Sequence, residues 1–148
     1  MRKTIIATIA LSKCVICYAN SCSIVSQANL NFNCGLSFAA CQAIGNVQFL
    51  CTQSSNYTIT LNQGNSGTFT QRTLVNQSNS NYKINYNIYT TPARITVLGD
   101  GGQGSGVVSG TCINSCTVNF YGYISSSIPK TPWAGSYSDT LNVFINLN

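Results

Sequence analysis

Apolar and polar residues alternate with a period of two along most of the chain, and no stretch has the spacing of an amphipathic helix. The clearest alternation is Tyr82–Tyr89, in which every second residue from Tyr82 is a tyrosine or an isoleucine. Successive side chains of a strand point to opposite faces of a sheet, so this pattern predicts a half-buried strand. We interpret its apolar stripe as core rather than as a binding site.

The same alternation predicts six further strands, which are separated by turns rich in Gly, Asn and Ser. They are 28–32, Gly45–Cys51, Tyr57–Leu61, Ile95–Leu98, Thr117–Ile124 and Tyr137–Leu147. The glycine-rich segment Gly99–Gly106 is predicted to be a mobile loop. Seven or so short strands in one domain predict an all-β fold, a β-sandwich.

Residues 1–19 have the pattern of a secretory signal peptide. A basic start, Met1-Arg2-Lys3, precedes the apolar segment Thr4–Leu11, and Ala19 completes a small-residue motif after which cleavage is expected. Cleavage after Ser21 is the alternative. Lys13 interrupts the apolar run, so no window is long enough for a membrane-spanning helix. We therefore expect an exported, soluble protein whose folded domain comprises residues 20–148.

The charge content argues against several classes of function. The 148 residues include seven Lys or Arg, two Asp or Glu and no His. The two acids, Asp100 and Asp139, are well separated, and the sequence offers no nucleophile–base pair. We therefore predict a protein that is not an enzyme and has no cofactor. The four cations that follow the signal peptide are scattered, which does not favour nucleic-acid binding.

Cysteine usage is typical of an exported protein. Of the eight cysteines, six follow the predicted signal peptide, namely Cys22, Cys34, Cys41, Cys51, Cys112 and Cys116. An even number predicts three disulfides, for which 15 connectivities are possible. A metal site is disfavoured because the chain has no His and its six later cysteines form no CxxC pairs.

Five segments carry motifs that occur in a fixed order. They are Cys22–Phe32, Gly45–Cys51, Tyr86–Tyr89 with the Ala93-Arg94 and Gly99-Asp100-Gly101 that follow it, Tyr121–Ile124, and Ala134–Val143. Together they resemble the spore coat protein U domain, a family that also forms the pilins of archaic chaperone–usher systems. The last segment, Ala-Gly-Ser-Tyr-Ser-Asp-Thr-Leu-Asn-Val, is the most specific, and the resemblance runs from Cys22 to Asn148.

The resemblance implies an immunoglobulin-like sandwich that lacks one strand. In that family a periplasmic chaperone places its own strand in the open groove, and an outer-membrane usher exchanges it for the N-terminal strand of the next subunit. This is donor-strand complementation, a form of β-augmentation. The residues that would line the groove and contact the donor lie on one face of the last predicted strand: Leu141, Val143, Ile145 and Leu147.

The resemblance also implies a disulfide between Cys22 and Cys51. We assign the other two disulfides, Cys34–Cys41 and Cys112–Cys116, by proximity in the sequence. The motif residues expected to have structural roles are Tyr86, Tyr89, Gly135, Tyr137 and Asp139. Asp139 has no acidic partner, so we expect it to accept backbone or tyrosine hydrogen bonds at the start of the last strand.

Two features depart from the family pattern. Cleavage after Ala19 leaves only Asn20-Ser21 before Cys22, whereas a polymerising pilin needs about 10–15 residues there to reach along a partner strand. This subunit is therefore expected to accept a donor strand but not to give one. The second departure is the insert Cys34–Cys41, where the family has a simpler loop.

We therefore expect a non-enzymatic secreted structural subunit of a fimbria-like or coat-like surface assembly, with roles in adhesion or biofilm formation. Its expected partners are a periplasmic pilus chaperone, an outer-membrane usher and neighbouring pilin subunits. It would pass through the periplasm to the cell surface or fimbria. The alternative is a self-contained adhesin-type module that binds carbohydrate or a surface. Trp133, Tyr121 and Tyr123 are the candidate aromatic platform, although these residues also suit a core or a strand edge.

Overall fold

The structure of the chain is a computed structural model, which describes residues 5–11, 21–26, 29–32, 34, 40–125 and 135–148. These residues form eleven strands and one short 3-10 helix, Gly64–Ser66. The strands are β1 (Ile5–Leu11), β2 (Cys22–Ser26), β3 (Asn29–Phe32), β4 (Cys41–Cys51), β5 (Ser55–Leu61), β6 (Arg72–Asn76), β7 (Lys83–Tyr89), β8 (Val108–Cys112), β9 (Ser115–Ile124), β10 (Tyr137–Ser138) and β11 (Thr140–Leu147).

The strands form two sheets that pack face to face as an immunoglobulin-like β-sandwich. One sheet has the order β3-β1-β11-β5-β8, and the other has the order β10-β6-β7-β9-β4-β2. The long antiparallel pair β4–β9 runs from Cys41 opposite Ile124 to Leu50 opposite Ser115. Every second residue of β4 is buried, as expected for a strand with one face on the core. The all-β prediction is confirmed.

The last predicted strand is divided in the structure. Tyr137–Ser138 pairs with β6 in the six-stranded sheet, whereas Thr140–Leu147 pairs with β5 in the other sheet. The chain therefore crosses from one sheet to the other at Asp139. The prediction of one continuous strand was wrong because the alternation of buried residues continues through this crossing, from Tyr137 through Asp139 to Leu141.

One other strand prediction also needs correction. Ile95–Leu98 is not a strand, because it makes only isolated bridges, from Val97 to Tyr89 and from Leu98 to Gly106. The segment Gly99–Gly106, predicted as a mobile loop, is closed by a hydrogen bond of 2.8 Å from the Gly99 amide to the Gly106 carbonyl. Its turn is held further by Asp100, whose Oδ1 accepts a hydrogen bond from the Gly102 amide.

The structure joins the six cysteines in three disulfides. The β2–β4 bridge, Cys22–Cys51, links directly opposed residues whose Cα atoms are 4.0 Å apart. The β8–β9 bridge, Cys112–Cys116, spans the corner at which the chain passes between the sheets. The third disulfide, Cys34–Cys41, closes the predicted insert at the start of β4.

The predicted signal peptide is described only in part. Ile5–Leu11, in its apolar segment, forms β1. The expected cleavage site at Ala19, as well as Trp133 and Ala134 of the proposed motifs, lie outside the described residues. None of the described segments is a helix long and apolar enough to cross a membrane.

Candidate functional site

The candidate site is the strand position between β3 and β11, which β1 occupies. On one side β1 pairs antiparallel with β3, from Ile5 opposite Phe32 to Thr8 opposite Asn29. On the other side it pairs parallel with β11, from Thr8 opposite Thr140 to Leu11 opposite Val143. β3 has no other strand neighbour within its sheet in the described part of the chain. β3 and β11 thus border the position without pairing with each other, and β1 connects them by pairing with both.

The two bordering strands turn apolar side chains into the core beside this position. Leu30 and Phe32 of β3 are 0% exposed, and Leu141 and Val143 of β11 are 1% and 0% exposed. Leu30 and Phe32 pack against Gly122 of β9, where an added Cβ would lie 2.5 Å from Phe32 Cζ. The floor of the site is therefore the opposite sheet, and close packing there requires a glycine.

The residues predicted to line the groove divide into two groups. Leu141 and Val143 lie on the part of β11 that pairs with β1, whereas Ile145 and Leu147 pair with Ile59 and Tyr57 of β5. Ile145 is 8% exposed and Leu147 is 38% exposed. The first pair therefore lies at the site, and the second lies beyond the part of β11 that β1 reaches.

Asp139 anchors the start of β11 with three hydrogen bonds. Its Oδ1 accepts from the amides of Asn65 (2.9 Å) and Thr140 (2.8 Å), and its Oδ2 accepts from the Tyr86 hydroxyl (2.8 Å). Both Asp139 and Tyr86 are buried. Burial raises the pKa of Tyr86 well above its usual range, and the charge of Asp139 and the hydrogen bond to it raise it further. Neutral Tyr86 thus joins β7 to the crossing point of the chain.

Of the other motif residues, Tyr137 and Gly135 lie next to the same crossing and Tyr89 does not. Tyr137 is buried in β10, opposite Asn76 of β6. Gly135 has a φ of 146°, and an added Cβ would lie 2.8 Å from Asn76 Nδ2, so this turn needs a glycine. Tyr89 ends β7 and is half-buried. Gly135, Tyr137 and Asp139 therefore lie in the segment that leads into β11, where they contact other parts of the fold.

Arg72 is a buried structural residue that the sequence analysis counted only as one of several scattered cations. It is 0% exposed, and its guanidinium donates to Asn87 Oδ1 (2.7 Å) and to the carbonyls of Leu98 (2.8 Å) and Asn62 (2.9 Å). Burial lowers the pKa of Arg72, while the charge of Asp139 opposes this shift. The one signal in the sequence is its place two residues before Leu74, which puts both on the same face of β6.

Tyr121 and Tyr123, the two members of the proposed aromatic platform that the structure describes, lie on the outer face of the six-stranded sheet. Tyr89 pairs with Tyr121, and Tyr123 pairs with Asn87. The Arg94 guanidinium lies 4.0 Å from the centre of the Tyr123 ring. A shallow pocket of about 130 Å³ next to it is lined by Tyr89, Tyr123 and neutral polar side chains. The pocket offers aromatic rings and neutral hydrogen-bonding groups for contact with another surface. No cluster of potential metal ligands occurs in the described ranges.

Comparison with known protein families identifies the family of this chain. The family model of the Spore Coat Protein U domain matches residues 6–144, which is most of the chain. The chain belongs to this family. The match begins within the predicted signal peptide, ahead of the resemblance that starts at Cys22. No curated protein matches the chain significantly.

Two solved structures are similar to this Spore Coat Protein U domain chain. One is the chaperone–tip adhesion subunit pre-assembly complex CsuC–CsuE from archaic chaperone–usher Csu pili of Acinetobacter baumannii, with a TM-score of 0.61 and 19% identity. The other is a chaperone–tip adhesin complex of CFA/I fimbriae biogenesis, with a TM-score of 0.52 and 11% identity. The similarity covers 86% and 87% of this chain but only 40% and 41% of those chains. At these identities the similarity shows the fold.

Proposed function

We propose that this chain is a non-enzymatic, secreted structural subunit of a fimbria-like or coat-like surface assembly, and that it acts by accepting a donor strand. The donor comes first from a periplasmic pilus chaperone and then, through an outer-membrane usher, from a neighbouring subunit. The chain passes through the periplasm to the cell surface, where the assembly contributes to adhesion or biofilm formation. With cleavage after Ala19 the subunit accepts a strand and does not give one.

The observation that carries this proposal is the identity of the strand in the candidate site. β1 belongs to the predicted signal peptide, so cleavage after Ala19 removes the strand between β3 and β11. Neighbouring strands of a sheet are about 4.8 Å apart, so two strands that flank a vacant position are about 10 Å apart and cannot hydrogen-bond to each other. The processed chain therefore has two strand edges that face one position.

The energetic cost of that vacancy supports the need for a donor. Burial of one large apolar side chain contributes about 1.5–3 kcal/mol, and four such residues border the position. Full exposure of Leu30, Phe32, Leu141 and Val143 would lose about 6–12 kcal/mol, so exposure of half of their surface would lose about 3–6 kcal/mol, a large part of the total stability of a small domain, about 5–15 kcal/mol. An exposed apolar strand edge is also a site of aggregation. A chaperone strand that fills the site removes both problems.

The test is thermal unfolding of residues 20–148, alone and with a donor-strand peptide or the chaperone. We expect the melting temperature to rise markedly, and aggregation to stop, when a strand is supplied. A high-melting monomer that is indifferent to added strands would refute the proposal.

Two matched variants locate the effect on β11. Val143→Asp places a charge on the buried face beside the site, whereas Phe144→Asp places it on the other face, where Phe144 is 42% exposed. We expect Val143→Asp to abolish the response to a donor strand and Phe144→Asp to retain it. Equal responses of the two variants would contradict binding at this strand position.

The outer-face pocket supports a second candidate function, an adhesin-type module that binds carbohydrate or a surface. Tyr89 and Tyr123 offer rings for stacking, and Asn85 and Ser125 are among the polar residues beside them. Arg94 already covers one face of Tyr123, which reduces the ring area available to a sugar. Glycan-array binding that is lost in Tyr89→Ala, by a chain that needs no donor strand, would favour this function.

A further inference from the structure

The strand that fills the candidate site is supplied by the chain itself, and this arrangement has a role of its own. We infer that Ile5–Leu11 is an intramolecular donor strand, which keeps external strands out of the site for as long as it remains attached. The inference rests on the proposed function, since it concerns the same strand position. It adds a competitor for that position and makes removal of residues 1–19 the step that opens it.

The backbone of β1 is paired on both sides. Its first half pairs with β3 and its second half pairs with β11, and Thr8 is opposite both Asn29 and Thr140. A strand held at both edges satisfies backbone groups of both neighbours, which water or a side chain would otherwise have to satisfy. β1 thus does for β3 and β11 what a donor strand would do.

The sequence of the segment suits this register. The residues at its alternate positions are all apolar, and each lies opposite a buried apolar residue: Ile5 opposite Phe32, Ala7 opposite Leu30, Ile9 opposite Leu141 and Leu11 opposite Val143. The three intervening residues lie opposite polar residues: Ile6 opposite Asn31, Thr8 opposite the exposed Thr140, and Ala10 opposite Asn142. Three Ile and one Thr among these seven residues also favour a strand over a helix. The segment is therefore apolar throughout except at Thr8, and in this register it places an apolar residue opposite each buried residue of β3 and β11 with which it pairs.

The connection to the folded domain makes β1 a strong competitor. Residues 12–21 join Leu11 to Cys22, and ten extended residues span up to about 35 Å. A tether of about ten residues gives an effective concentration on the order of 1 mM. A free peptide of the same sequence at about 10 µM would therefore occupy the site in roughly one molecule in a hundred.

The experiment compares the intact and the cut chain. The full chain is produced with a protease site within residues 12–20 and with Cys14→Ser and Cys17→Ser, so that these thiols cannot exchange with the disulfides. The probe is a fluorescent peptide of residues 1–13. We expect negligible binding to the intact chain and, for a peptide that binds the open site with a Kd of about 10 µM, an apparent affinity about 100-fold higher once the tether is cut and the released segment is diluted.

Two variants test the register without any cut. Ile9→Asp places a charge opposite the buried Leu141, and Thr8→Asp places the same charge opposite the exposed Thr140. We expect the intact Ile9→Asp chain to bind the wild-type peptide and the intact Thr8→Asp chain to exclude it.

The possible outcomes separate the inference from the proposed function. Equal peptide binding by the intact and cut chains would overturn the inference and leave strand acceptance standing. If neither chain binds the peptide, and residues 20–148 do not respond to the chaperone either, both are overturned. Binding only after the cut, or only in Ile9→Asp, supports the inference.

Discussion

The hydrogen bond between Tyr86 and Asp139 should contribute measurably to the stability of the crossing point. Tyr86→Phe removes only the hydroxyl that donates to Asp139 Oδ2 over 2.8 Å. The edge-to-face contact of the ring with Phe32, with ring centres 6.0 Å apart, is retained. Asp139 keeps its two backbone donors but loses one of three hydrogen bonds at a carboxylate that is 1% exposed.

The expected loss follows from the charge of the acceptor. A hydrogen bond to an ionised group contributes about 1.5–3 kcal/mol, compared with about 1 kcal/mol for a neutral pair. We expect Tyr86→Phe to lower the free energy of unfolding of the full chain by about 1.5–3 kcal/mol in urea titrations at neutral pH. The control is Tyr89→Phe in the same strand, where the side chain is half-buried and the change should stay within about 0.5 kcal/mol.

The raised pKa of Tyr86 adds a pH signature to this prediction. Above about pH 10 an unfolded tyrosine releases its proton, whereas folded Tyr86 retains it because burial and Asp139 disfavour the phenolate. The native state then binds more protons, so this residue makes stability fall with rising pH by up to about 1.4 kcal/mol per pH unit. Tyr86→Phe should lack this part of the slope. Identical slopes for the two proteins above about pH 10, or an unchanged stability at neutral pH, would refute the reasoning.

Three further perturbations probe the fold around the site, each by urea unfolding of the full chain. Gly122→Ala should lose about 1–3 kcal/mol because its Cβ would lie 2.5 Å from Phe32 Cζ, whereas Gly102→Ala, whose nearest atom is 3.3 Å away, should be close to neutral. Arg72→Lys should lose at least about 2 kcal/mol since lysine cannot reproduce the fork of three hydrogen bonds, and the exposed Arg94→Lys serves as its control. Replacing both cysteines of the β2–β4 bridge by alanine should cost about 3.6 kcal/mol, compared with about 2 kcal/mol for the β8–β9 bridge, because the sequence separations are 29 and 4 residues. A reversed order of the two bridges would contradict the loop-entropy argument.

Period-two alternation predicts β4, β5, β7 and β9 because each has one face on the core and one in solvent. It does not predict β6, whose core face carries Arg72, a residue type that is rarely buried. It also does not predict β8, where small polar residues alternate with half-buried positions. Sequence reasoning from alternation therefore fails where a polar side chain occupies the core or where a strand has no strongly apolar face.

The candidate site was harder to predict than the strands. The acceptor role of Asp139 can be inferred from its place at the start of a strand, but its donor Tyr86 lies 53 residues away and the topology alone brings them together. The place of β1 in the site was difficult to predict for a different reason. An apolar run after a basic start predicts a signal peptide, and the same run satisfies a buried strand position, so composition does not separate the two.

The most direct test of strand acceptance is amide hydrogen exchange of residues 20–148 with and without a bound donor strand. The account predicts that binding slows exchange at Leu30–Phe32 and at Leu141–Val143, the two edges that face the site. Exchange at the outer strand β8 should remain unchanged. Slow exchange at both edges before any strand is added, or protection that appears only elsewhere in the sandwich, would contradict it.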